Sequence, residues 1–406
     1  MKSDWIKPLI GKPGPFATVF LDATPSGKAG DQDVAHRWRV VRRSLAQQGA
    51  PDAILDTLED AALQPTRKAG AHGRVLIADA DGIHVDKALR ARPVTPVGLW
   101  NPLPALVQAA LAAQDEVHGI RVGVDSTGAD VLLAGPHGWG QARSIDAPHD
   151  DDGTVDPIGP SRGGRRGGGN SGDRGDGSHG RSEDTHLHNA EAIARELDHI
   201  AAADRPEVIF LWGEARMVAA VRSAVGSAAA GLVVEVPGGH RGVDVPAGPF
   251  RDRFDEAIVA FRAARTGAVL EDFQAARGHN RAVSGIDDVV AVLNRGQVAE
   301  LVLDAGIGLE PVFTSADESQ VKALRETLWT GVDPIAISAD PGALPDASGR
   351  LEKLPAAIAL VRSAVGQDAG LTFAPEGAVD LYDGVGAILR WTDDATPADS
   401  AASMLR

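Results

Sequence analysis

Five arginines and nine glycines fall within Ser161–Arg181, SRGGRRGGGNSGDRGDGSHGR, a stretch with no aliphatic or aromatic side chain. A segment of this composition has nothing to bury, so it cannot form part of a core. What it can do is offer guanidinium forks and bare backbone N–H groups to a phosphate-rich partner. Arg162, Arg165, Arg166, Arg174 and Arg181 suit phosphates and base faces. Gly163, Gly164, Gly167, Gly168 and Gly169 let the backbone, with Asn170 after them, pass close to RNA. The same composition also describes a solvated spacer.

A second basic group is Arg37, Arg39, Arg42 and Arg43, with His36 and Lys28 nearby. On a helix these four arginines lie within two turns, as an RNA-facing surface or as an ordinary solvated face. Pro25-Ser26-Gly27-Lys28-Ala29-Gly30 has glycines and a lysine but not the GxxxxGK[ST] spacing, which argues against a nucleotide phosphate loop. His149 with Asp150–Asp152 lies in apparent coil. His186 and His188 are spaced to point to different faces of a helix, so neither group suits a metal. No GxSxG elbow exists to support Ser-His-Asp hydrolysis, and no cofactor is expected.

The chain of 406 residues is long enough for two or three domains. It is 43% hydrophobic but only 4% aromatic, which predicts cores of Ala, Val, Leu and Ile. A net charge of −16 repels phosphate at long range, so nucleic-acid contact has to come from local basic patches. There is no cysteine, which excludes disulfides and thiolate metal sites. Without a signal-like apolar run or a stretch of about 18 apolar residues, the reading is a cytoplasmic protein with no membrane partner.

The elements that must position these groups follow from periodicity. A first block, 1–96, reads as α+β: strand 16–24, helix 31–48, helix 53–63, and a strand pair 74–79 and 82–85 through the Asp81-Gly82 turn. Arg92–Pro96 reads as a hinge, and helix follows from Leu103 to Ala113. The middle block, 97–267, opens its sheet with a hairpin, 120–124 and 130–134. An acidic coil and the Gly/Arg loop, 145–182, come next. A long helix from Glu183 to Ala203 follows, then strand 207–212, helix 215–225, strand 231–236 and helix 250–267. The third block, 268–406, reads as an α/β/α sandwich. Its helices are 286–296, 319–328 and 354–365, and its strands are 299–303, 333–338, 371–374 and 385–391. The fold class is α/β and α+β in three domains, with a sheet of mostly parallel or mixed strands in the middle one.

This order of elements resembles the archaeo-eukaryotic release factor and Pelota family, and in particular its bacterial branch. The resemblance rests on Gly119–Leu133, GIRVGVDSTGADVLL, as the hairpin opening the middle domain. It rests also on Ile286–Leu303, IDDVVAVLNRGQVAELVL, as the entry to an L7Ae-like C-terminal sandwich, and it covers about residues 97–391. It implies a release-factor/Pelota-like arrangement, with the N-terminal domain on the decoding side of the ribosome and the loop reaching the peptidyl transferase centre. In the family a Gly-Gly-Gln at the loop tip helps place water on the peptidyl-tRNA ester. Here Gly167-Gly168-Gly169-Asn170 stands in its place. The missing methylene displaces the amide, and a displacement of about 1 Å can cost orders of magnitude in rate.

The resemblance therefore implies docking without hydrolysis, in the manner of a ribosome hibernation factor. The expected partner is the 70S ribosome at its A site. The Gly/Arg loop would meet 23S rRNA, and Lys28, Arg37, Arg39, Arg42 and Arg43 would meet 16S rRNA or mRNA. Elongation factor Tu is a further implied partner, and the protein would be a monomer off the ribosome. Hydrolysis of peptidyl-tRNA, or Pelota-like ribosome splitting with a GTPase, is the alternative.

Overall fold

The computed structural model describes residues 6–397 except 13, 25–26, 67–71, 90–91, 94, 136–137, 147–176, 243, 246–247, 309–325, 332 and 345–350. The described residues form two compact units, one of 1–116 with 263–406 and one of 117–262.

The first unit begins with α1 (Lys7–Ile10), β1 (Phe16–Asp22), α2 (Gly27–Gln47), α3 (Asp52–Ala62), β2 (Gly73–Asp79), β3 (Gly82–Leu89), β4 (Val97–Asn101) and α4 (Leu106–Gln114). Its sheet has the order β3-β2-β1-β4, antiparallel throughout. Alternation along β1 decides what covers each face. Ala17, Val19 and Leu21 pack with Trp38, Val41 and Leu45 of α2 and with α3, whereas Phe16 and Phe20 join the core that holds α1 and α4. At the hairpin tip the buried Asp79 carboxylate meets Lys12 at 2.5 Å and His84 at 2.7 Å. Burial alone would raise its pKa, but bonds from Lys12, His84 and the Asp81 N–H outweigh that and hold it at about 2.

The second unit contains β5 (Gly119–Asp125), β6 (Gly128–Gly135), β7 (Gly138–Asp146), α5 (Gly177–Asp204), β8 (Val208–Gly213), α6 (Ala215–Ala224), β9 (Val233–Glu235) and the first half of α7 (Pro249–Gly278). The strand order is β7-β6-β5-β8-β9. β7, β6 and β5 form an antiparallel meander, and β5, β8 and β9 are parallel. One face is covered by α5 and α6 through Ile193, Leu197, Ile200, Met217 and Val221. The other carries an aromatic cluster of Phe210, Trp212, Phe250, Phe254 and Phe261. Its rings meet edge-on, Phe210 and Phe254 at 5.2 Å and Trp212 and Phe254 at 5.6 Å between centroids.

The chain then completes the first unit with β10 (Ala282–Ser284), α8 (Ile286–Asn294), β11 (Val298–Asp304), β12 (Thr327–Thr330), β13 (Ile337–Ser338), β14 (Glu352–Pro355), α9 (Ala356–Gly366), β15 (Gly370–Ala374) and β16 (Val385–Leu389). The main sheet has the order β10-β16-β11-β15. Leu301 and Leu303 face α8 and α9, and Val302 faces Leu270, Phe273 and Ala276 of α7, so this part is the expected α/β/α sandwich. The first core is shared with the N-terminal sheet: α4 packs among Phe20, Ile77, Leu360 and Phe373. It consists almost wholly of Ala, Val, Leu and Ile, as the composition predicts.

Several elements differ from the sequence reading. Residues 97–101 are not the start of a new domain but the edge strand paired with β1, and α4 belongs to the first unit. Pro102 and Pro104 delay that helix to Leu106, because a residue before proline is held extended. β7 has no apolar alternation in its sequence GWGQARSID, as befits an edge strand, and was not expected. Of the expected helix at 319–328, residues 319–325 lie outside the described residues, and Thr327 and Leu328 are in β12. β10 and β14 are short strands that the pattern did not announce.

α7 runs past the expected end at Gly267 to Gly278. Glycine in a helix interior costs about 1 kcal/mol against alanine, but continuing the helix buries Leu270, Phe273 and Ala276. A Cβ at Gly267 would meet nothing within 4 Å. Gly267→Ala is therefore expected to stabilise the protein by about 0.5–1 kcal/mol in chemical denaturation. No change, or a loss, would show that this stretch is not a helix interior.

Candidate nucleic-acid interface

Because β5, β8 and β9 are parallel, their last residues, Asp125, Gly213 and Glu235, lie at one end of the second unit's sheet. In open α/β sheets this is the end where ligands bind. β7 finishes there too, since Asp146 pairs with Gly128 at the β5–β6 turn. α5 passes the same turn, with Asn189 Nδ2 donating to the Ser126 carbonyl at 3.1 Å. The last described residue before 147–176 thus stands at this tight turn, and α5, which follows that segment, passes the turn at Asn189, well beyond its start at Gly177. Arg162, Gly163, Gly164, Arg165, Arg166, Gly167, Gly168, Gly169, Asn170 and Arg174 themselves lie outside the described residues, as does the His149 cluster. Arg181 is in α5.

The turn is fixed by a polar hub. Asp125 Oδ1 accepts from the Thr127 N–H at 2.8 Å, the Thr127 hydroxyl at 2.6 Å and the Gly128 N–H at 3.1 Å. Arg241, on the connection from β9 to α7, donates to Thr127 Oγ1 at 2.8 Å and to Asp130 Oδ1 at 3.2 Å. It also stands 3.7 Å from Asp125 Oδ1. Ser144 of β7 donates to the same Asp130 oxygen at 2.6 Å. Burial would raise the pKa of Asp125, but the Thr127 bonds, Arg241 and the Gly128 N–H outweigh it and hold the carboxyl below its ordinary value. One guanidinium therefore ties together the turn, two strands and the β9–α7 connection.

Beside this hub, β7 and α5 enclose an open groove of about 440 Å³ lined by Arg143, Ser144, Ile145, Ala192, Arg195 and Glu196. Arg143 Nη1 meets Glu196 Oε1 at 2.9 Å, yet its side chain is 58% exposed. An exposed pair of this kind is worth little, about 0–1 kcal/mol, so a phosphate could compete for the guanidinium. Arg195 is exposed and, among the described residues, bonds through its Nε to the Glu191 carbonyl at 3.3 Å. Arg143 was missed in the sequence because β7 was not recognised, and Arg195, on the expected long helix, because nothing then placed that helix beside it. A third strand continuing the meander would have placed Arg143 beside the loop.

The arginines of α2 divide into two pairs. Arg37 donates to the Asp22 carbonyl at 3.0 Å and stands 3.6 Å from the Asp22 carboxylate. Arg42 meets Asp56 and Glu59, each at 2.7 Å, and the Asp56 bond leads in raising its pKa. Both are tied into the fold. Arg39 and Arg43 are exposed on the outer face with His36 and Val40, and Arg39 bonds only to the Ala35 carbonyl of its own helix. Lys28 lies in the first turn of α2. On α5, His186 is half-buried and His188 exposed. Among the described residues, no group of three or more His, Asp or Glu is placed to hold a metal, and no helix is long and apolar enough to cross a membrane.

Arg121 of β5 is a cation with a structural position. Its guanidinium lies 4.7 Å from the centroid of the Phe254 ring. Burial first, and then the nearby Arg251, push its pKa down to about 10, so it stays charged at neutral pH.

Residues 119–279, which contain the hub, the groove, β7 and α5, match the sequence model of Bacterial archaeo-eukaryotic release factor family 2. This segment is similar to that family. The whole chain is 27% identical over 398 residues to two Mycobacterium tuberculosis proteins. They are Uncharacterized protein MT2704 of strain CDC 1551 / Oshkosh and Uncharacterized protein Rv2629 of strain ATCC 25618 / H37Rv. Each match covers 96% of this chain and 97% of the relative. Among solved structures, S. cerevisiae Dom34, a translation termination-like factor involved in RNA quality control and interacting with Hbs1, aligns over 80% of both chains at 12% identity and a TM-score of 0.38. Archaeal Pelota in a ribosome-bound model with ABCE1 aligns over 96% of this chain and 93% of its own, at 12% identity and a TM-score of 0.36. Scores this low carry no argument about a shared overall arrangement.

Within the second unit, Arg241→Ala removes the tie between Thr127 and Asp130 and leaves two carboxylates without their cation. The expected loss is about 1–2 kcal/mol, kept low because Asp125 is 36% exposed. Asp125 has a lowered pKa in the folded state, so its contribution is present above the ordinary carboxylate range and disappears as pH falls through the folded value. Denaturation at neutral pH and in acid checks both points. The gap between wild type and variant should narrow in acid, and a gap independent of pH would rule out the hub.

Proposed function

We propose that the protein is a ribosome-binding factor that occupies the A site of idle ribosomes and shields the decoding and peptidyl transferase centres without hydrolysing peptidyl-tRNA. The observation that carries this reading is a Gly/Arg segment that leaves β7 at the β5–β6 turn, within a stretch similar to Bacterial archaeo-eukaryotic release factor family 2. Release factors act in translation, and the ribosome is the partner on which such a factor acts. A loop made of arginine and glycine suits a narrow, phosphate-lined cavity, because the backbone can approach closely and each guanidinium can meet phosphate or base.

Asn170 stands where the family places glutamine after glycines. It favours shielding over hydrolysis, in line with the chain's sequence resemblance to the ribosome hibernation factor Balon. Arg39 and Arg43 on the outer face of α2 are the groups available on the decoding side, and Arg37 and Arg42 would have to leave their carboxylates to take part. Binding with elongation factor Tu and a cytoplasmic location belong to the same proposal. The name of the family favours a second reading, peptide release or rescue with Asn170 or a neighbour orienting water.

The test is sedimentation with vacant bacterial 70S ribosomes across a salt series. Replacing Arg162, Arg165 and Arg166 together by Ala is expected to weaken binding about 10-fold or more near 100 mM salt. It should also flatten the log–log salt slope by about 2, because three phosphates are no longer neutralised and each contributes roughly 0.7. Unchanged affinity and slope would overturn the proposal. Peptide release from stalled ribosomes above background by the wild-type protein would establish the second reading instead.

A further inference from the structure

The β9–α7 connection, Pro237-Gly238-Gly239-His240-Arg241-Gly242, takes no part in either core, yet it is held at the sheet end where β7, the strand before residues 147–176, finishes. Four of its carbonyls are bonded. The Pro237 carbonyl accepts from Arg253 Nε at 2.8 Å and that of Gly238 from the Gly213 N–H at 3.3 Å. The His240 carbonyl accepts from Trp212 Nε1 at 3.1 Å and that of Arg241 from His240 Nδ1 at 2.9 Å. Gly242 lies against β5 so closely that a Cβ on Gly123 would come 2.4 Å from its carbonyl oxygen. Arg241 ties the segment to Thr127 and Asp130. A stretch with this many fixed points is a rigid ledge.

Its outward side has the opposite character. Pro237 to His240 are exposed. Among the described residues, the N–H groups of Gly238, Gly239 and His240 donate to no protein acceptor. Gly238 and Gly239 have φ of 92° and 81°, a region that glycine enters without strain. His240 Nδ1 faces a carbonyl, which can only accept, so Nδ1 carries the proton. In the neutral ring Nε2 is then an acceptor directed away from that bond, and it has no partner among the described residues. The ledge therefore offers donors for an anion beside an acceptor for a hydroxyl. The sugar–phosphate backbone of RNA supplies that pair, a phosphate next to a ribose 2′-hydroxyl, and DNA lacks the second.

We infer that the Pro237–Gly242 ledge binds one nucleotide of the RNA backbone, with its free N–H groups on a phosphate and His240 Nε2 accepting from the 2′-hydroxyl, so that the protein distinguishes RNA from DNA. This rests on the reading that residues 147–176 bring RNA to this end of the sheet, and it adds a fixed contact to that segment. Protein partners fit less well, because no apolar side chain stands on the ledge after Pro237.

The experiment uses the full-length protein and single-stranded 12-nucleotide RNA and DNA of one sequence, in fluorescence anisotropy at about 50 mM salt. Wild type is expected to bind the RNA about 5–10-fold more tightly, the range for one hydrogen bond at a partly exposed site. His240→Ala should bring that ratio to about 1–2 with only a small change in unfolding, since the exposed side chain gives up a single bond to the Arg241 carbonyl. An RNA:DNA ratio that His240→Ala leaves unchanged overturns the inference, and so does no measurable binding of either oligonucleotide. The variant with Arg162, Arg165 and Arg166 replaced by Ala separates the two ideas. It should weaken both probes and keep the ratio. If it weakens neither while His240→Ala still removes the ratio, the Gly/Arg segment fails and the ledge stands.

Discussion

Everything this protein can do at the second unit's sheet end depends on the parallel pairing of β5 with β8. The first three strands form a meander, and a meander alone alternates its turns between both ends of the sheet. Adding β8 and β9 parallel to β5 sends every later connection across a helix and delivers the ends of β5, β8 and β9 to one edge. The β5–β6 turn, the last residue of β7 and the β9–α7 connection meet there as a consequence. Arg241 then converts proximity into rigidity, because one planar fork reaches a hydroxyl and a carboxylate that belong to different parts of the hairpin. A lysine at that position could satisfy only one of them in a fixed geometry.

The first unit solves a different problem, which is how two sheets far apart in sequence share a core. α4 and α9 are almost wholly buried and built from small or branched aliphatic residues, so they lie between the N-terminal sheet and the C-terminal sandwich as common filling. This leaves little room for polar groups, and some of those present bond to nearby backbone and hydroxyl groups. Arg362 of α9, 4% exposed, donates to the Thr330 hydroxyl at 2.5 Å and the Gly331 carbonyl at 3.0 Å. Its pKa is lowered, chiefly by burial. Gln114 bridges to the backbone of Phe373 in both directions, at 2.9 and 2.6 Å. Such bonds cost little to make in the fold and much to leave unmade.

The sequence was legible where one physical signal dominated. Strands β1, β2, β5, β6, β8, β11, β15 and β16 bury side chains on both faces or alternate cleanly, and they were found within one or two residues apart from overruns past β1 and β16. The Arg42 ion pairs were not legible, because Asp56 and Glu59 lie on another helix and only tertiary packing brings them to it. The same holds for β4 and β7. An edge strand needs only one neighbour and little apolar surface, so it writes a weak pattern. The candidate site suffers most from this, since Arg143, Arg241 and His240 stand on an edge strand and a connection, where periodicity says nothing. Composition did mark the Gly/Arg segment, because a lack of apolar residues over so long a stretch is itself a strong signal.

The overall charge of −16 looks adverse to an RNA-binding protein, but range decides the matter. At physiological ionic strength the screening length is about 8 Å, so an acidic surface elsewhere on a molecule of this size is largely invisible to a phosphate at the sheet end. What a phosphate would meet there among the described residues is local: Arg143 and Arg195 in the groove and the exposed N–H groups of the ledge. The acidic body acts at the other limit. It discourages nonspecific association, in which affinity grows with every phosphate neutralised anywhere on the surface. On the proposed reading, this charge placement favours RNA that presents several phosphates to the basic groups at the sheet end together.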